Sequence, residues 1–197
     1  MTEMDPETER LLVTRLRDGD TTAFDEVYDV YRARVFAFLL RMSRSRTVAE
    51  DLLDETWLRL VQYASTLRPD TRFGPWLFTV ARNLYWSHRR ASLIEESRAP
   101  ELIGLWPSPE SWPSPFDLAA ADELERRVEI ALSGLPAHYR EVLLMVATEG
   151  LTPGEAAAAC GISPEALRQR LSRARTALAE KLDVTRLGIR AKRRYGT

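Results

Sequence analysis

Apolar residues in the first half of the chain recur at three- and four-residue spacing, which predicts helices over 7–17, 23–42, 47–64 and 75–90. The last of these opens on Pro75 directly after Gly74, a start signal because proline lacks only an N–H that the first turn leaves unpaired. No stretch alternates apolar and polar positions long enough to predict a strand. A second block repeats the pattern. One helix runs from Asp117 to a stop at Gly134, and another starts near Pro136, with Tyr139, Val142, Leu143 and Val146 at core spacing until Gly150. Between the blocks, Pro100, Pro107, Pro109, Pro113 and Pro115 block helix continuation. The expectation is an all-α protein of two small helical domains, 1–90 and 117–185, joined by a Pro/Trp-rich linker, 91–116, and followed by a basic tail, 186–197. Trp106 and Trp112 in the linker are compatible with docking on a domain or partner and equally with free motion.

The segment from Leu151 to Lys181 is the most informative. Thr152-Pro153-Gly154-Glu155 is a capping box, in which hydroxyl and carboxylate satisfy backbone N–H groups at each other's positions. After the Gly161 turn, Ser163-Pro164 starts a second helix. The order is that of a helix-turn-helix, whose second helix enters the major groove. Leu167, Leu171, Ala174 and Leu178 form one buried stripe, which leaves Arg168, Gln169, Arg170 and Arg173 largely outward. Arginine pairs with guanine and glutamine with adenine in bidentate fashion, and further arginines suit phosphates.

Charge adds direction. The net charge is −1, yet acids outnumber bases in the first 30 residues and Arg or Lys dominates from Ser163 onward. Such asymmetry predicts a local contact with a polyanion, without indiscriminate coating of nucleic acid. The single cysteine, Cys160, permits no intrachain disulfide, and two histidines are too few for a His-rich metal site, so neither metal nor cofactor is expected. With 45% hydrophobic and 29% charged residues, no long apolar run and a charged first 20 residues, the chain is expected to be cytoplasmic and not inserted in a membrane.

Two further faces carry candidate chemistry. In 72–90, Leu77, Val80, Ala81 and Leu84 can face a core, leaving Thr79, Asn83, Trp86, Ser87 and Arg90 outward; aromatic, amide and basic groups together suit unpaired DNA. Trp76 and Phe78 are expected in the core. In 49–61, Leu53, Trp57, Leu60 and Val61, continued by Ala64, make a core stripe, with Asp51, Asp54, Glu55 and Arg59 elsewhere on the surface. Taken alone, these charges are as compatible with a solvated helix face as with a partner site.

The motifs together resemble the extracytoplasmic-function sigma factors. Ala23-Phe24 with Tyr28 and Tyr31, Ala49-Glu50-Asp51-Leu52-Leu53-Asp54-Glu55-Thr56-Trp57, Trp76-Leu77-Phe78 and Ala81-Arg82-Asn83 resemble region 2 of that family. Leu135-Pro136, Arg140-Glu141-Val142-Leu143-Leu144, Glu149-Gly150-Leu151-Thr152 and Arg170-Leu171-Ser172-Arg173-Ala174-Arg175 resemble region 4, in the family's order. The resemblance implies that Asp51, Asp54, Glu55 and Arg59 dock on the clamp coiled coil of core RNA polymerase. It also implies that Arg72, Phe73, Asn83 and Ser87, with the outward Trp86 and Arg90, meet the −10 element of promoter DNA, one base being flipped from the melting duplex. Glu165, Ala166, Arg168, Gln169, Arg170 and Arg173 would hold the −35 element. An anti-sigma factor is a further implied partner, and the free chain is expected to be a monomer. Ser87, where the family commonly has Asp or Asn, and Pro164-Glu165-Ala166, where small or β-branched residues are more usual, depart from its pattern.

Two other classes compete. A conventional helix-turn-helix regulator would bind duplex DNA without polymerase, but the first block resembles a second DNA-reading unit instead of a ligand or dimerisation domain. An enzyme would need a phosphate loop, a metal cluster or a nucleophile with a histidine base, and the chain carries none of these motifs, so it is expected not to be an enzyme.

Overall fold

The computed structural model describes residues 4–98 and 123–195, with side chains over 4–94 and 123–183. All regular elements among them are helical. The chain divides into two compact units, Met1–Ser108 and Pro109–Thr197.

The first unit contains α1 (Pro6–Arg17), α2 (Thr21–Ser43), α3 (Arg46–Tyr63), a 3-10 turn (Ala64–Thr66) and α4 (Phe73–Arg98). Helix starts are set locally. The Asp5 carboxylate accepts from the N–H groups of Glu7 and Thr8, and Asp20 does the same for Thr22. Helix α2 ends at Arg44 in the left-handed region, φ 60°. Helices α2, α3 and α4 pack against one another, with α1 laid on α2 and the 3-10 turn. Val35, Phe38, Leu39, Leu60, Leu77 and Phe78 are fully buried between them, and the Phe38 and Phe78 rings meet edge-on at 5.4 Å. Burying each such ring contributes about 1.5–3 kcal/mol.

Helix α4 runs to Arg98, past the boundary expected at Arg90, because 91–98 contains neither glycine nor proline and Pro100 is the first breaker. The remainder of the expected linker, with Trp106 and Trp112, and the helix start expected at Asp117 lie outside the described residues.

The second unit contains α5 (Glu123–Ser133), α6 (Ala137–Leu143) continued by a π-helical turn (Leu144–Thr148), α7 (Pro153–Cys160) and α8 (Pro164–Tyr195). Helix α8 is its axis, against which α5, α6 and α7 all pack. The basic segment expected as a separate tail continues α8 as helix to Tyr195, and its side chains lie outside the described residues. The π turn shifts the phase of α6, so Leu144 and Met145 are buried where Val146, only half-buried, was expected to point inward. Arg140 closes the α5–α6 turn: buried itself, it donates to the carbonyls of Leu132, Ser133 and Leu135 at 3.1, 3.1 and 2.9 Å. Those carbonyls lie at the end of α5 and in the turn after it, where a helix leaves its last acceptors without intrahelical partners.

Candidate functional site

Helices α7 and α8 form the helix-turn-helix. The capping box is present in full: Glu155 Oε2 accepts from Thr152 N–H at 2.8 Å, and Thr152 Oγ1 accepts from Glu155 N–H at 3.3 Å. Gly161 then turns the chain at φ 65°, its N–H donating to the Ala157 and Ala158 carbonyls, a conformation that disfavours any Cβ. Ser163 caps α8 through Ala166 N–H at 3.1 Å. Leu167, Leu171 and Ala174 are buried as expected and Leu178 half-buried, so Glu165, Ala166, Arg168, Gln169 and Arg173 are left exposed on α8.

These exposed residues are already organised. Glu165 accepts from Arg168 on one side and from Gln169 Nε2 at 3.3 Å on the other. Arg168, and secondarily Gln169, hold the Glu165 carboxyl below its usual range. A hydrogen-bonded carboxylate, guanidinium and amide thus share one turn, the groups that respectively complement the exocyclic amine of cytosine, the guanine edge and the adenine edge.

Arg170 is not among them, which corrects the expectation that it faces outward. Its side chain is 27% exposed, and Nη1 donates to Glu141 Oε1 on α6 at 3.2 Å, where the Glu141 side chain is 1% exposed. At three residues from Leu167 and four from Ala174, Arg170 sits on the border of the buried stripe. A carboxylate inside the core draws it inward.

Helix α4 carries the second face. Asn83, Ser87 and Arg90 are exposed and Trp86 is half-buried, with the Trp86 ring edge-on to the buried Tyr85 at 5.3 Å. Arg90 Nη2 donates to Ser87 Oγ at 3.1 Å, and Arg82 Nη1 to Asn83 Oδ1 at 3.0 Å. This strip of amide, hydroxyl, guanidinium and indole offers hydrogen bonds, a phosphate partner and a stacking surface along one helix. Arg72 lies exposed at its N-terminal end, but Phe73 is completely buried. The Phe73 ring, expected to meet DNA, is a core group in this structure. Leu77, Ala81 and Phe78 are buried as expected, whereas Trp76, Val80 and Leu84 are only half-buried.

Helix α3 carries the third face. Asp51 and Asp54 are exposed, Glu55 and Arg59 half-exposed, and Arg59 Nη2 pairs with Glu55 Oε1 at 2.8 Å. The core stripe is Ala49, Leu52, Leu53, Thr56, Trp57 and Leu60. Val61 is 59% exposed, not buried as expected, and Leu58 is 54% exposed. At three- and four-residue spacing both extend the strip begun by Asp51 and Asp54, since Leu60 takes the inward place in the final turn. The face is thus acidic in its N-terminal part and apolar at its C-terminal end. Trp57 fixes its orientation against α2, with Tyr28 at 4.8 Å and Phe24 at 5.9 Å.

Sequence reasoning missed Leu58, Glu9 and Glu141. A leucine one turn beyond Asp54 and Glu55 on the same helix surface was a readable signal for the first; the two buried glutamates give none, because their partners lie on other helices.

No helix among the described residues is long and apolar enough to cross a membrane, and no group of three or more metal-ligand side chains occurs among them. Residues 27–92 match the family Sigma-70 region 2 and residues 125–178 the family Sigma-70, region 4. The chain is similar to the RNA polymerase sigma factor CarQ of Myxococcus xanthus, 33% identical over 178 residues that span 89% of this chain and 98% of that protein. It is similar also to the ECF RNA polymerase sigma factor SigM of Bacillus subtilis, 33% identical over 155 residues covering 78% of this chain and 91% of the other. Its fold resembles that of the sigma factor RpoE solved in complex with the anti-sigma factor NepR from Bartonella quintana, with a TM-score of 0.66, 24% identity and coverage of 82% of this chain and 97% of that one.

Proposed function

The chain belongs to the sigma-70 family, among the extracytoplasmic-function sigma factors, and from this premise we propose how its two units divide the work of directing core RNA polymerase to promoters. Helix α3 docks on the polymerase clamp coiled coil through Asp51, Asp54, Glu55 and Arg59, with Leu58 and Val61 as the apolar end of the contact. Charged and apolar groups side by side suit such an interface, because burying Leu58 supplies affinity while the acids set orientation and encounter rate.

Helix α4 reads the −10 element with Asn83, Trp86, Ser87 and Arg90, and Arg72 adds a phosphate contact at its start. Melting costs a few kcal/mol of unstacking per extruded base, which stacking on Trp86 and hydrogen bonds from Asn83 and Ser87 offset. Helix α8 reads the −35 element in the major groove with Glu165, Ala166, Arg168, Gln169 and Arg173, and Arg170 serves by holding α8 against Glu141. In this reading the domain 1–90 binds core polymerase and the −10 element, and the domain 117–185 binds the −35 element. The chain makes and breaks no covalent bonds, acts in the cytoplasm where polymerase and promoter meet, and is monomeric when free. An anti-sigma protein that covers these faces is its off switch, as NepR partners RpoE.

The observation that carries this reading is the joint one: a basic helix-turn-helix face and an aromatic, amide-bearing face, each on a unit that matches a sigma-70 region. The test is gel-filtration titration of the purified chain against core RNA polymerase, followed by runoff transcription on genomic promoter fragments. Co-elution with new, salt-sensitive, promoter-specific transcripts is expected. Failure to bind core, with tight duplex binding by the chain alone, would establish a conventional regulator instead.

A further inference from the structure

Glu9 sits on α1, outside every face described above, yet its side chain is 5% exposed. Burying a carboxylate is costly unless it is partnered, so its partners show what it is for. Oε1 accepts from the backbone N–H of Phe73 at 3.0 Å and lies 3.5 Å from the Tyr31 hydroxyl on α2. Oε2 lies 3.6 Å from Nε of Arg72. One side chain of α1 therefore joins α2 to the first residue of α4, across 64 positions of sequence.

The bonded N–H is informative. Phe73 is the first residue of α4, and the N–H groups of a helix's first turn have no partner within the helix. A carboxylate there also meets the positive end of the helix dipole. Glu9 thus caps α4 from a different helix, at the end where Arg72 projects to solvent and where the Phe73 ring enters the core. The adjoining Gly74 is packed on Tyr31: a Cβ there would lie 3.7 Å from the ring and its hydroxyl, ordinary contact that leaves no gap.

We propose that Glu9 is a positioning residue for promoter reading, which sets the axial seat of α4 and the direction of Arg72 and so the alignment of the −10 face. This rests on the reading of α4 given above. Glu9 touches no DNA; it acts through Phe73 and Arg72.

The test uses holoenzyme reconstituted from the full chain and core RNA polymerase. The probe is a labelled single-stranded oligonucleotide carrying the non-template −10 sequence mapped by the runoff transcripts, with a scrambled oligonucleotide as the comparison. The readout is the ratio of the two affinities, which a mere loss of folded protein does not change. Glu9→Ala is expected to lower that discrimination about tenfold, equivalent to about 1.4 kcal/mol of binding preference. Glu9→Gln keeps an acceptor for Phe73 but drops the charge facing Arg72, and is expected to lower it by about threefold. Both variants should assemble with core as the parent does.

Asn83→Ala is the control for the underlying reading. If Asn83→Ala loses discrimination while both Glu9 variants match the parent, the proposal is overturned and the reading of α4 stands. If Asn83→Ala also matches the parent, the reading itself fails and the proposal with it. A Glu9→Ala chain that cannot assemble, beside a Glu9→Gln chain that discriminates as the parent does, assigns Glu9 to folding alone and overturns the proposal as well.

Discussion

Arg170 Nη1 donates to Glu141 Oε1 at 3.2 Å, joining the recognition helix α8 to α6 through a carboxylate that is almost wholly buried. The contact places Arg170 in the support of the helix-turn-helix, whereas Arg168 and Arg173 are exposed. Arg170→Ala should therefore destabilise the second unit by about 1–3 kcal/mol, the cost of stripping a buried carboxylate of a cationic partner that is itself partly solvated. Urea unfolding measures this, and a change near zero would return Arg170 to the DNA-facing set.

Arg168→Ala and Arg173→Ala should behave oppositely. Stability stays within about 0.5 kcal/mol, as for exposed sites generally. Binding of holoenzyme to a −35-dependent promoter weakens, and the slope of log affinity against log salt falls by about 1 for each lost phosphate contact. Salt titrations of promoter binding distinguish that outcome from loss of a base contact, which would alter sequence preference instead.

The turn between α7 and α8 is held by backbone chemistry. Thr152→Ala removes the acceptor for Glu155 N–H, and a loss of about 1 kcal/mol is expected. Gly161→Ala forces a Cβ into the left-handed region at φ 65° and should cost about 1 kcal/mol, although nothing stands within 4 Å of the added atom. The two losses are expected to be smaller together than their sum only if the turn already frays in one variant, which a double-mutant cycle by urea unfolding reads directly.

On α3, Leu58→Asp should weaken core polymerase binding by about tenfold or more while thermal unfolding stays where it is, since Leu58 is 54% exposed in the free chain. Asp54→Lys is expected to slow association and to change its salt dependence. Stopped-flow binding to core separates the two, and unaltered binding by both variants would remove this face from the interface.

Acid should loosen the α1–α2 junction. Hydrogen bonds from Thr22 first and Arg15 second lower the Asp20 carboxyl from 3.8 to about 2. Arg15 also pairs with Glu26 at 2.8 Å. Because the folded value lies below the unfolded one, the stabilisation is complete above about pH 4 and fades as pH falls toward 2. Asp20→Asn keeps an acceptor for the Thr22 N–H and should flatten the stability curve within that window alone. Denaturation at pH 5, 4, 3 and 2 checks it, and parallel curves for parent and variant would exclude the assignment.

The sequence by itself determined the helical class, because period, prolines, glycines and caps are local signals: Asp5, Asp20, Thr152 and Gly161 each act on backbone groups within a few residues. It also determined which helices carry the polar faces, since the buried stripes Leu167, Leu171 and Ala174 or Leu77 and Ala81 leave little choice for their opposite sides. What only the tertiary structure decided are the border positions. Arg170 turned inward, Val61 outward, and Phe73 into the core, because a residue at the edge of a stripe goes to whichever neighbouring helix supplies a partner or a space. The buried glutamates belong to the same class. Glu9 and Glu141 read as ordinary surface acids in sequence, and only packing puts a helix start beside the first and a recognition-helix arginine beside the second.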